Sequence, residues 1–399
     1  MGKRKFDFRT IMMILVLFLG NIAIMGTTFY SVIMTQLYAT YEEWVVNLTM
    51  SLPGILGMVS CLLCGKISDK VDKKWLFLLG MLLFAITGTN LGGIAYSNNL
   101  LLIGAAAFNG GVCYGMVSVS AVALISDYFE DEGQRSLVMG WYNGAMALVG
   151  AALSFSYGMA ATVDWKLASA VNWAAAVVVV LGLLFLPACP PKKNAENAEA
   201  AVKVKGERGW AKNLIPLVAA FFLVSFAIMS VMTYIDLFVT ANNLGDASLT
   251  GLFGTVQTIS SFIACTFFGV LYKKLGARIS IPAYLLLALS VFIMFIAPSP
   301  VTLLLGSAIM GVSWGTAYTY WFFRATVVVP QNMVGTATGI VTTANSLSYL
   351  PMAYVVTGLM GAMHTDNFRD LFPFYIVIVL IVFVGAIFLN GRKKAEAQN

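Results

Sequence analysis

The sequence contains little charge. Asp, Glu, Lys and Arg make up 11% of its 399 residues, while 59% of the residues are hydrophobic. A soluble domain usually carries about 25% charged residues. This composition excludes an ordinary soluble protein, because too few charged side chains are present to cover its surface. We therefore expect an integral membrane protein.

The chain is also poor in the signatures of common catalytic chemistry. It has one histidine, His364, and it lacks a Walker-type phosphate loop, an HExxH zinc pair and paired histidines within apolar segments. Its five cysteines lie within or at the ends of apolar segments, so we expect no disulfide framework. Cys61 and Cys64 have CxxC spacing without a second pair, and we interpret them as small residues of a membrane helix. We expect no enzyme, no metal site and no cofactor.

Apolar runs near or above the roughly 20 residues that cross a bilayer as a helix recur along the chain. They predict an all-α integral membrane protein with twelve transmembrane helices, at residues 10–36, 44–64, 75–95, 100–126, 137–158, 167–188, 213–240, 248–272, 279–298, 301–327, 333–360 and 371–391. No small-residue cleavage site follows the long first run, so we expect it to remain as a helix and not to be a cleaved signal peptide.

The basic residues divide unequally between the two sides that these spans define. Of the 24 Lys and Arg residues, only Lys166 and Arg369 fall opposite the termini, which leaves 22 on the terminal side. By the positive-inside rule, this predicts a multi-pass protein of the cell membrane with both termini in the cytoplasm. The net charge of +6 then reflects topology and anionic lipid headgroups, and we expect no nucleic-acid partner.

A polar segment separates the predicted helices into two groups of six. Residues 189–212 are the longest stretch without membrane character. They predict an N-terminal six-helix bundle at 1–188, a cytoplasmic linker at 189–212 and a C-terminal six-helix bundle at 213–399. The two groups repeat one another weakly, because GKISDKVDKK begins at Gly65 and GVLYKKLGAR begins 204 residues later, at Gly269.

The first copy of this loop resembles the signature of the major facilitator superfamily of transporters. In that family a glycine is followed four residues later by an acid, and then by a glycine and basic residues. Gly65, Asp69, Lys73 and Lys74 match this pattern, while Asp72 stands where the family usually has glycine.

The second copy is degenerate: Gly269, Gly276 and Arg278 match, and Lys273 replaces the acid. The resemblance covers nearly the whole chain through helix count, linker and repeat. It implies two pseudo-symmetric six-helix bundles that move a solute by alternating access, and we expect them to form a monomer.

The repeated loop predicts a conformational latch. Small residues let helices approach closely in lipid, and the neighbouring charges can pair across helix ends. We interpret Lys66, Lys70 and Lys73 as solvated charges, and we regard Asp69 as the principal latch residue. The predicted latch comprises Gly65, Asp69, Lys74, Gly269, Gly276 and Arg278.

The resemblance also implies which helices meet the solute. In the family, helices one, four, seven and ten line the cavity, and helices two, five, eight and eleven flank it. Polar and aromatic side chains on these helices are candidates, since amides and hydroxyls facing lipid would be costly. The predicted contacts are Tyr30, Tyr114, Tyr234, Gln257, Trp314, Tyr318 and Asn345. Helix packing, the interfacial aromatic belt and interhelical hydrogen bonding are the alternative roles of these side chains.

The predicted spans contain no Lys or Arg away from their edges, so a doubly charged anion would meet no fixed cation. Aromatic and amide groups favour a neutral, cationic or amphipathic solute, and a monocarboxylate remains open through Tyr hydroxyls and helix ends. We expect proton-coupled uptake or exchange. Drug-type efflux antiport is the alternative, although residues 140–154 lack the Pro of the Gly-Pro pattern common in drug exporters.

Asp236 is the acidic residue that the predicted spans place inside a helix. An intramembrane carboxylate is a functional hypothesis by default, and here it predicts a proton carrier or a counter-ion for a cationic solute. An acid at the outer rim is the alternative. The expected partners are thus a small-molecule substrate, protons and the lipid bilayer.

Overall fold

The computed structural model describes residues 6–161, 163–190, 209–245, 247–348, 351–365 and 367–396. Within these ranges the regular structure is helical and contains no β-strand. The predicted all-α fold is therefore confirmed for the part of the chain that the structure describes.

In the described residues, ten α-helices precede the polar segment at 189–212 and seven follow it. The first ten are α1 (Phe8–Leu19), α2 (Asn21–Met25), α3 (Thr28–Val32), α4 (Met34–Thr40), α5 (Glu43–Ser68), α6 (Lys73–Ala95), α7 (Asn99–Ala107), α8 (Tyr114–Tyr128), α9 (Glu132–Ala161) and α10 (Ala174–Phe185). A π-helical turn, Phe108–Cys113, joins α7 to α8, and a 3-10 helix, Leu167–Trp173, precedes α10. The predicted first span, 10–36, is thus a series of short helices.

Seven α-helices follow the polar segment. They are α11 (Gly209–Ala241), α12 (Ala247–Leu275), α13 (Ser280–Phe295), α14 (Pro300–Val327), α15 (Val334–Ser348), α16 (Met352–Met363) and α17 (Phe372–Glu396). Short 3-10 helices occupy Gly276–Ile279, Gln331–Met333 and Phe368–Leu371.

In the described ranges, nine segments are long and apolar enough to cross a membrane. One of them, Leu252–Phe295, has 44 residues and overlaps two of the predicted spans, 248–272 and 279–298. Large apolar side chains such as Phe155 and Phe388 are about 70% and 71% exposed, as expected of surfaces that face lipid. The integral membrane fold is therefore confirmed, and the count of twelve helices is consistent with it but stays a prediction.

The chain forms two compact units. Unit 1 comprises Met1–Val138, Ala145–Leu214 and Ala325–Ser346, and unit 2 comprises Met139–Gly144, Ile215–Arg324 and Leu347–Asn399. The predicted division into 1–188, 189–212 and 213–399 stays a prediction. Most of its linker, residues 191–208, lies outside the described residues.

Buried side chains pack the helices within each unit. In unit 1, α5, α6 and α8 share a core cluster of Cys61, Cys64, Leu76, Met116 and Val119, so the CxxC pair is a packing element of α5. In unit 2, α13 packs along α17.

Candidate functional site

The Asp69 carboxylate binds the first turn of a helix distant in sequence. Asp69 follows the last residue of α5, and α15 begins at Val334. Its Oδ1 accepts a hydrogen bond from the Gly335 N–H at 2.9 Å, and its Oδ2 accepts from the Thr336 N–H at 3.0 Å and the Thr336 hydroxyl at 2.6 Å. First-turn N–H groups have no intrahelical acceptor and carry partial positive charge, so a carboxylate stabilises them. All of these groups belong to unit 1.

Gly65 allows this approach of α5 to α15. A Cβ atom on Gly65 would lie 2.7 Å from the Gly335 carbonyl oxygen and 3.2 Å from the Thr336 Cα. A side chain there would separate the two helices and withdraw the carboxylate of Asp69 from its donors. The structure therefore brings Gly65 and Asp69, two of the predicted latch residues, to one contact.

Burial and neighbouring charge act on Asp69 in opposite directions. Burial raises the pKa of its carboxyl, while the hydrogen bonds from Thr336 and Gly335 and the charge of Lys73 lower it; the effect of burial is the largest, so the pKa is raised. The ionised form is thus less favoured than in an exposed aspartate.

Lys73 is a buried partner of an acid. Its Nζ lies 2.8 Å from Asp127 Oδ2, and the two side chains are 4% and 6% exposed. Lys73 begins α6 and Asp127 lies in the last turn of α8, so each charge opposes its own helix dipole and is stabilised by the other. The interpretation of Lys73 as a solvated charge is therefore wrong.

The remaining predicted latch residues lie elsewhere in the two units. Lys74 Nζ donates to the Leu183 carbonyl of α10 at 3.1 Å. In unit 2, Gly269 is buried within α12, and Arg278 is exposed on the following 3-10 helix. Gly276 has φ 56° directly after α12, the left-handed conformation in which glycine commonly terminates a helix.

Aromatic rings of α14 form the core of a cluster in unit 2. The Trp314 ring centroid lies 5.5 Å from that of Tyr318 and 6.0 Å from that of Trp321. Trp321 stacks on Phe221 at 4.6 Å and on Tyr284 at 5.7 Å. We call these five residues the Trp314 cluster. It joins two predicted contacts, Trp314 and Tyr318, in an uncharged aromatic cluster in which Tyr318 is half-buried and the other four rings are buried.

A close contact between α12 and α14 places Gln257 near this cluster. Gln257 is buried on α12, and a Cβ on Gly311 would clash with the Gln257 carbonyl oxygen. A Cβ on Gly315 would lie 2.6 Å from the Ser261 carbonyl oxygen. The backbone of Gln257 thus meets α14 one helical turn from Trp314.

The other predicted contacts occupy different places. In unit 2, Tyr234 stacks on Phe368 at 5.4 Å, so it belongs to a second aromatic group. In unit 1, the buried Tyr30 of α3 interacts with the Asn109 side chain of the π-helical turn, and Asn109 is hydrogen-bonded to Thr87. Tyr114 begins α8, and the half-buried Asn345 lies on α15.

Asp236, the predicted coupling residue, lies on α11. Its side chain falls outside the described residues, so its role stays a prediction.

Residues 311–315 read GVSWG and satisfy the GxSxG pattern of many hydrolases. The structure places them inside the continuous helix α14, where the buried Ser313 hydroxyl donates to the Ile309 carbonyl at 2.7 Å. A hydrolase nucleophile instead stands on a sharp strand-to-helix turn. The match is therefore limited to the sequence pattern, because the local structure is not that of a hydrolase nucleophile.

Sequence reasoning did not find Thr336, Asp127 or Phe221 as partners of the candidate residues. Thr336 lies 267 residues after Asp69, and no pattern links the two. Asp127 carried a usable signal, since an acid in the last turn of a helix opposes the helix dipole and needs a cation.

A family model described as Major Facilitator Superfamily matches residues 11–353. No curated protein matches the chain in a sequence comparison. Among solved structures, the proton:xylose symporter XylE, bound to 6-bromo-6-deoxy-D-glucose, has 14% identity and a TM-score of 0.74, with 94% of each chain covered.

Two further structures share the fold. The human organic anion transporter MFSD10 (TETRAN) has 14% identity and a TM-score of 0.74, with 95% of this chain and 100% of that chain covered. FucP, a Major Facilitator Superfamily transporter in the outward conformation, has 14% identity and a TM-score of 0.72, with 96% and 99% covered. The family match spans most of the chain, and the chain therefore belongs to the major facilitator superfamily and is a transporter, not an enzyme.

Proposed function

We propose that the protein moves a small neutral, cationic or amphipathic organic solute by alternating access, as uptake or exchange coupled to protons. The observation that carries this solute class is the uncharged Trp314 cluster of unit 2. Aromatic faces attract cations and cover apolar groups of a ligand, and hydroxyl and amide groups fix its orientation.

The buried charges support this choice. Of the residues whose burial the structure describes, the buried basic ones are Lys73 and Arg135. Lys73 pairs with Asp127, and the Arg135 guanidinium donates to three carbonyls, those of Phe129, Glu130 and Thr326. Since both cations already have partners, neither favours a doubly charged anion. A monocarboxylate still fits, through Tyr hydroxyls and helix N-termini.

The same cluster supports a second candidate function, drug-type efflux antiport, because amphipathic cations also bind to aromatic faces. Transport into or out of vesicles of known orientation distinguishes the two. In either case we propose that the solute contacts the seven predicted residues during the cycle. We also propose that the Asp69 contact with α15 is a latch that opens and closes with each cycle.

A thermal-shift screen of the purified protein against a metabolite library tests the solute site. A ligand at 100 times its Kd should raise the free energy of unfolding by about 2.7 kcal/mol. Trp314→Ala and Tyr318→Ala should weaken the stabilisation by the solute found, because each removes a ring of the Trp314 cluster. Trp173→Ala, which removes a ring that is 48% exposed in unit 1, is the control. Unchanged stabilisation in both cluster variants would move the site elsewhere.

Asp236 is proposed to carry the coupling proton or to bind a cationic solute. In proteoliposomes, accumulation of the solute from that screen under a pH gradient should be lost in Asp236→Asn, while solute exchange without net proton movement should persist. Asp370→Asn, which changes an exposed acid of unit 2, should retain both activities. If the Asp236 variant still accumulates the solute under a pH gradient, a facilitator, an exchanger or another coupling ion becomes the better interpretation.

A further inference from the structure

The loop between α5 and α6 is tied to the end of α10 in unit 1. Asp72 Oδ1 accepts hydrogen bonds from the Lys74 N–H at 2.9 Å and from the Cys189 N–H at 3.1 Å. The Lys73 N–H donates to the Cys189 carbonyl at 3.4 Å, and Lys74 Nζ donates to the Leu183 carbonyl at 3.1 Å. Three hydrogen bonds thus join residues 72–74 to residues 183–189.

Each of these bonds satisfies a backbone group that has no helical partner. The first N–H groups of α6 need an acceptor, and an aspartate directly before a helix is a favoured one. The Leu183 carbonyl lies in the last turn of α10, where a cation is favourable. Cys189 precedes Pro190, which disfavours helical backbone, and Asp72 and Lys73 bond both its N–H and its carbonyl.

This arrangement depends on a departure from the usual loop pattern of the family. Asp72 stands where the resembled family usually has glycine, and a glycine has no side-chain acceptor for the N–H groups of Lys74 and Cys189. The aspartate is therefore more than a chance substitution in a charged loop, because one of its oxygens accepts hydrogen bonds from two backbone N–H groups on different segments.

We propose that Asp72 is a positioning residue for the latch. It fixes the loop to the end of α10, so that Asp69, three residues earlier, presents its carboxylate to the first turn of α15. This inference rests on the proposed latch function of Asp69. The contact with Asp72 also holds Cys189 in place two residues before the polar segment 191–208.

Two measurements on the purified full-length protein test the proposal without knowledge of the solute. The first is the rate of Cys189 alkylation by a maleimide, located by peptide mapping; the other four cysteines are buried. The second is amide hydrogen exchange at residues 334–338. Asp69 binds the N–H groups of Gly335 and Thr336 in this segment, whereas Asp72 has no described contact with it.

The variants separate two roles of Asp72. We call its bond to the Cys189 N–H the anchor, and its bond to the Lys74 N–H caps α6. Asp72→Ser keeps a good acceptor for the Lys74 N–H but is too short to reach Cys189 as well. Asp72→Gly installs the residue usual in the family and should fold if the serine variant does not. Asp72→Asn keeps an acceptor oxygen for both donors and should restore wild-type behaviour. Asp131→Ser is the matched control, because Asp131 caps α9 through the Gln134 N–H at 2.9 Å.

We expect Asp72→Ser and Asp72→Gly to raise both rates about tenfold, the size expected for loss of one hydrogen bond. Asp72→Asn and Asp131→Ser should leave both rates near those of the wild type. Unchanged alkylation of Cys189 in the serine and glycine variants would overturn the anchor. Faster alkylation with unchanged exchange at 334–338 would overturn the positioning role.

Asp69→Ala distinguishes failure of this inference from failure of the latch itself, because alanine leaves no acceptor for the Gly335 and Thr336 donors. If this variant leaves exchange at 334–338 unchanged, the latch contact does not protect α15, and the positioning role fails with it. If Asp69→Ala raises exchange and the Asp72 variants do not, the latch stands and only the role of Asp72 is wrong.

Discussion

The Asp69 carboxylate accepts three hydrogen bonds from the first turn of α15, while its burial opposes ionisation. Burial is the larger effect, so its pKa lies above the ordinary value of 3.8. A carboxyl whose pKa is raised in the folded state contributes most to stability when protonated. That contribution is full below the pKa of the unfolded chain and is lost as pH rises through the pKa of the folded protein.

Because the pKa of Asp69 is raised, the difference in stability between the wild type and Asp69→Asn should depend on pH. The amide cannot ionise, so the midpoint of thermal unfolding of the wild type, relative to that of the variant, should fall as pH rises from about 4 towards neutrality. Thermal unfolding of both proteins in detergent across this range measures the difference.

The complementary change Thr336→Val removes the hydroxyl that donates to Asp69 and adds no charge. It should raise the pKa of the Asp69 carboxyl further, so that the fall in relative stability occurs at higher pH. A difference between the wild type and Asp69→Asn that is constant with pH, or that grows as pH rises, would contradict burial as the larger effect on Asp69.

At the residue scale, the sequence predicted the candidate functional side chains more successfully than it predicted their contacts. Asp69 stood out because its loop is repeated and resembles a family signature. Its partner Thr336 could not be predicted, since the contact depends on the packing of α5 against α15. Lys73 was misinterpreted because a charge at a helix start is usually solvated, and only the fold places Asp127 beside it.

At the element scale, α12 and α14 approach closely where a glycine faces a backbone carbonyl. A Cβ on Gly315 would lie 2.6 Å from the Ser261 carbonyl oxygen and 2.7 Å from its hydroxyl oxygen. The obstacle is backbone, which yields less readily than the end of a flexible side chain. Trp314 precedes Gly315 directly, so the helix contact also sets the position of the Trp314 cluster.

Gly315→Ala should therefore lower the free energy of unfolding by about 1–3 kcal/mol, the usual cost of overpacking. It should also weaken solute stabilisation in the thermal-shift assay, because α14 is displaced from α12. Gly254→Ala on α12 is the matched control, since a Cβ there meets no atom within 4 Å. Equal stability of the Gly315 and Gly254 variants would contradict the close contact.

Helix positions followed from apolar run length, but their interruptions did not. The run 10–36 was predicted as one span, whereas the structure divides Phe8–Thr40 into four short helices. The π-helical turn at Phe108–Cys113 interrupts another predicted span and contains Asn109, Gly110 and Gly111. Hydrophobicity reports that a segment faces lipid, and it carries no information about one extra residue in a helical turn.

At the scale of the whole molecule, the strongest signal in the sequence is the distribution of charge. The assignment to a transporter family needed the composition, the repeated loop and the family match together. The grouping of the predicted solute contacts could not be predicted from these signals. The structure groups Trp314 with Tyr318 and places Tyr234 against Phe368. Helix membership therefore predicted cavity candidates, and ring packing within a unit decided which of them meet.

The division of basic residues predicts the orientation of the whole chain in the membrane. Lys166 and Arg369 lie opposite the termini in the predicted topology, and the other 22 of the 24 basic residues lie on the terminal side. An amine-reactive label that cannot cross the membrane should therefore modify Lys166, which is exposed, in intact cells. The exposed Lys66 and Lys274 should react only after the cells are opened. Likewise, a reporter fused after Asn399 should be active in the cytoplasm. Labelling of Lys66 or Lys274 in intact cells, or a reporter active only outside, would invert the topology and place the Asp69 latch on the outer side.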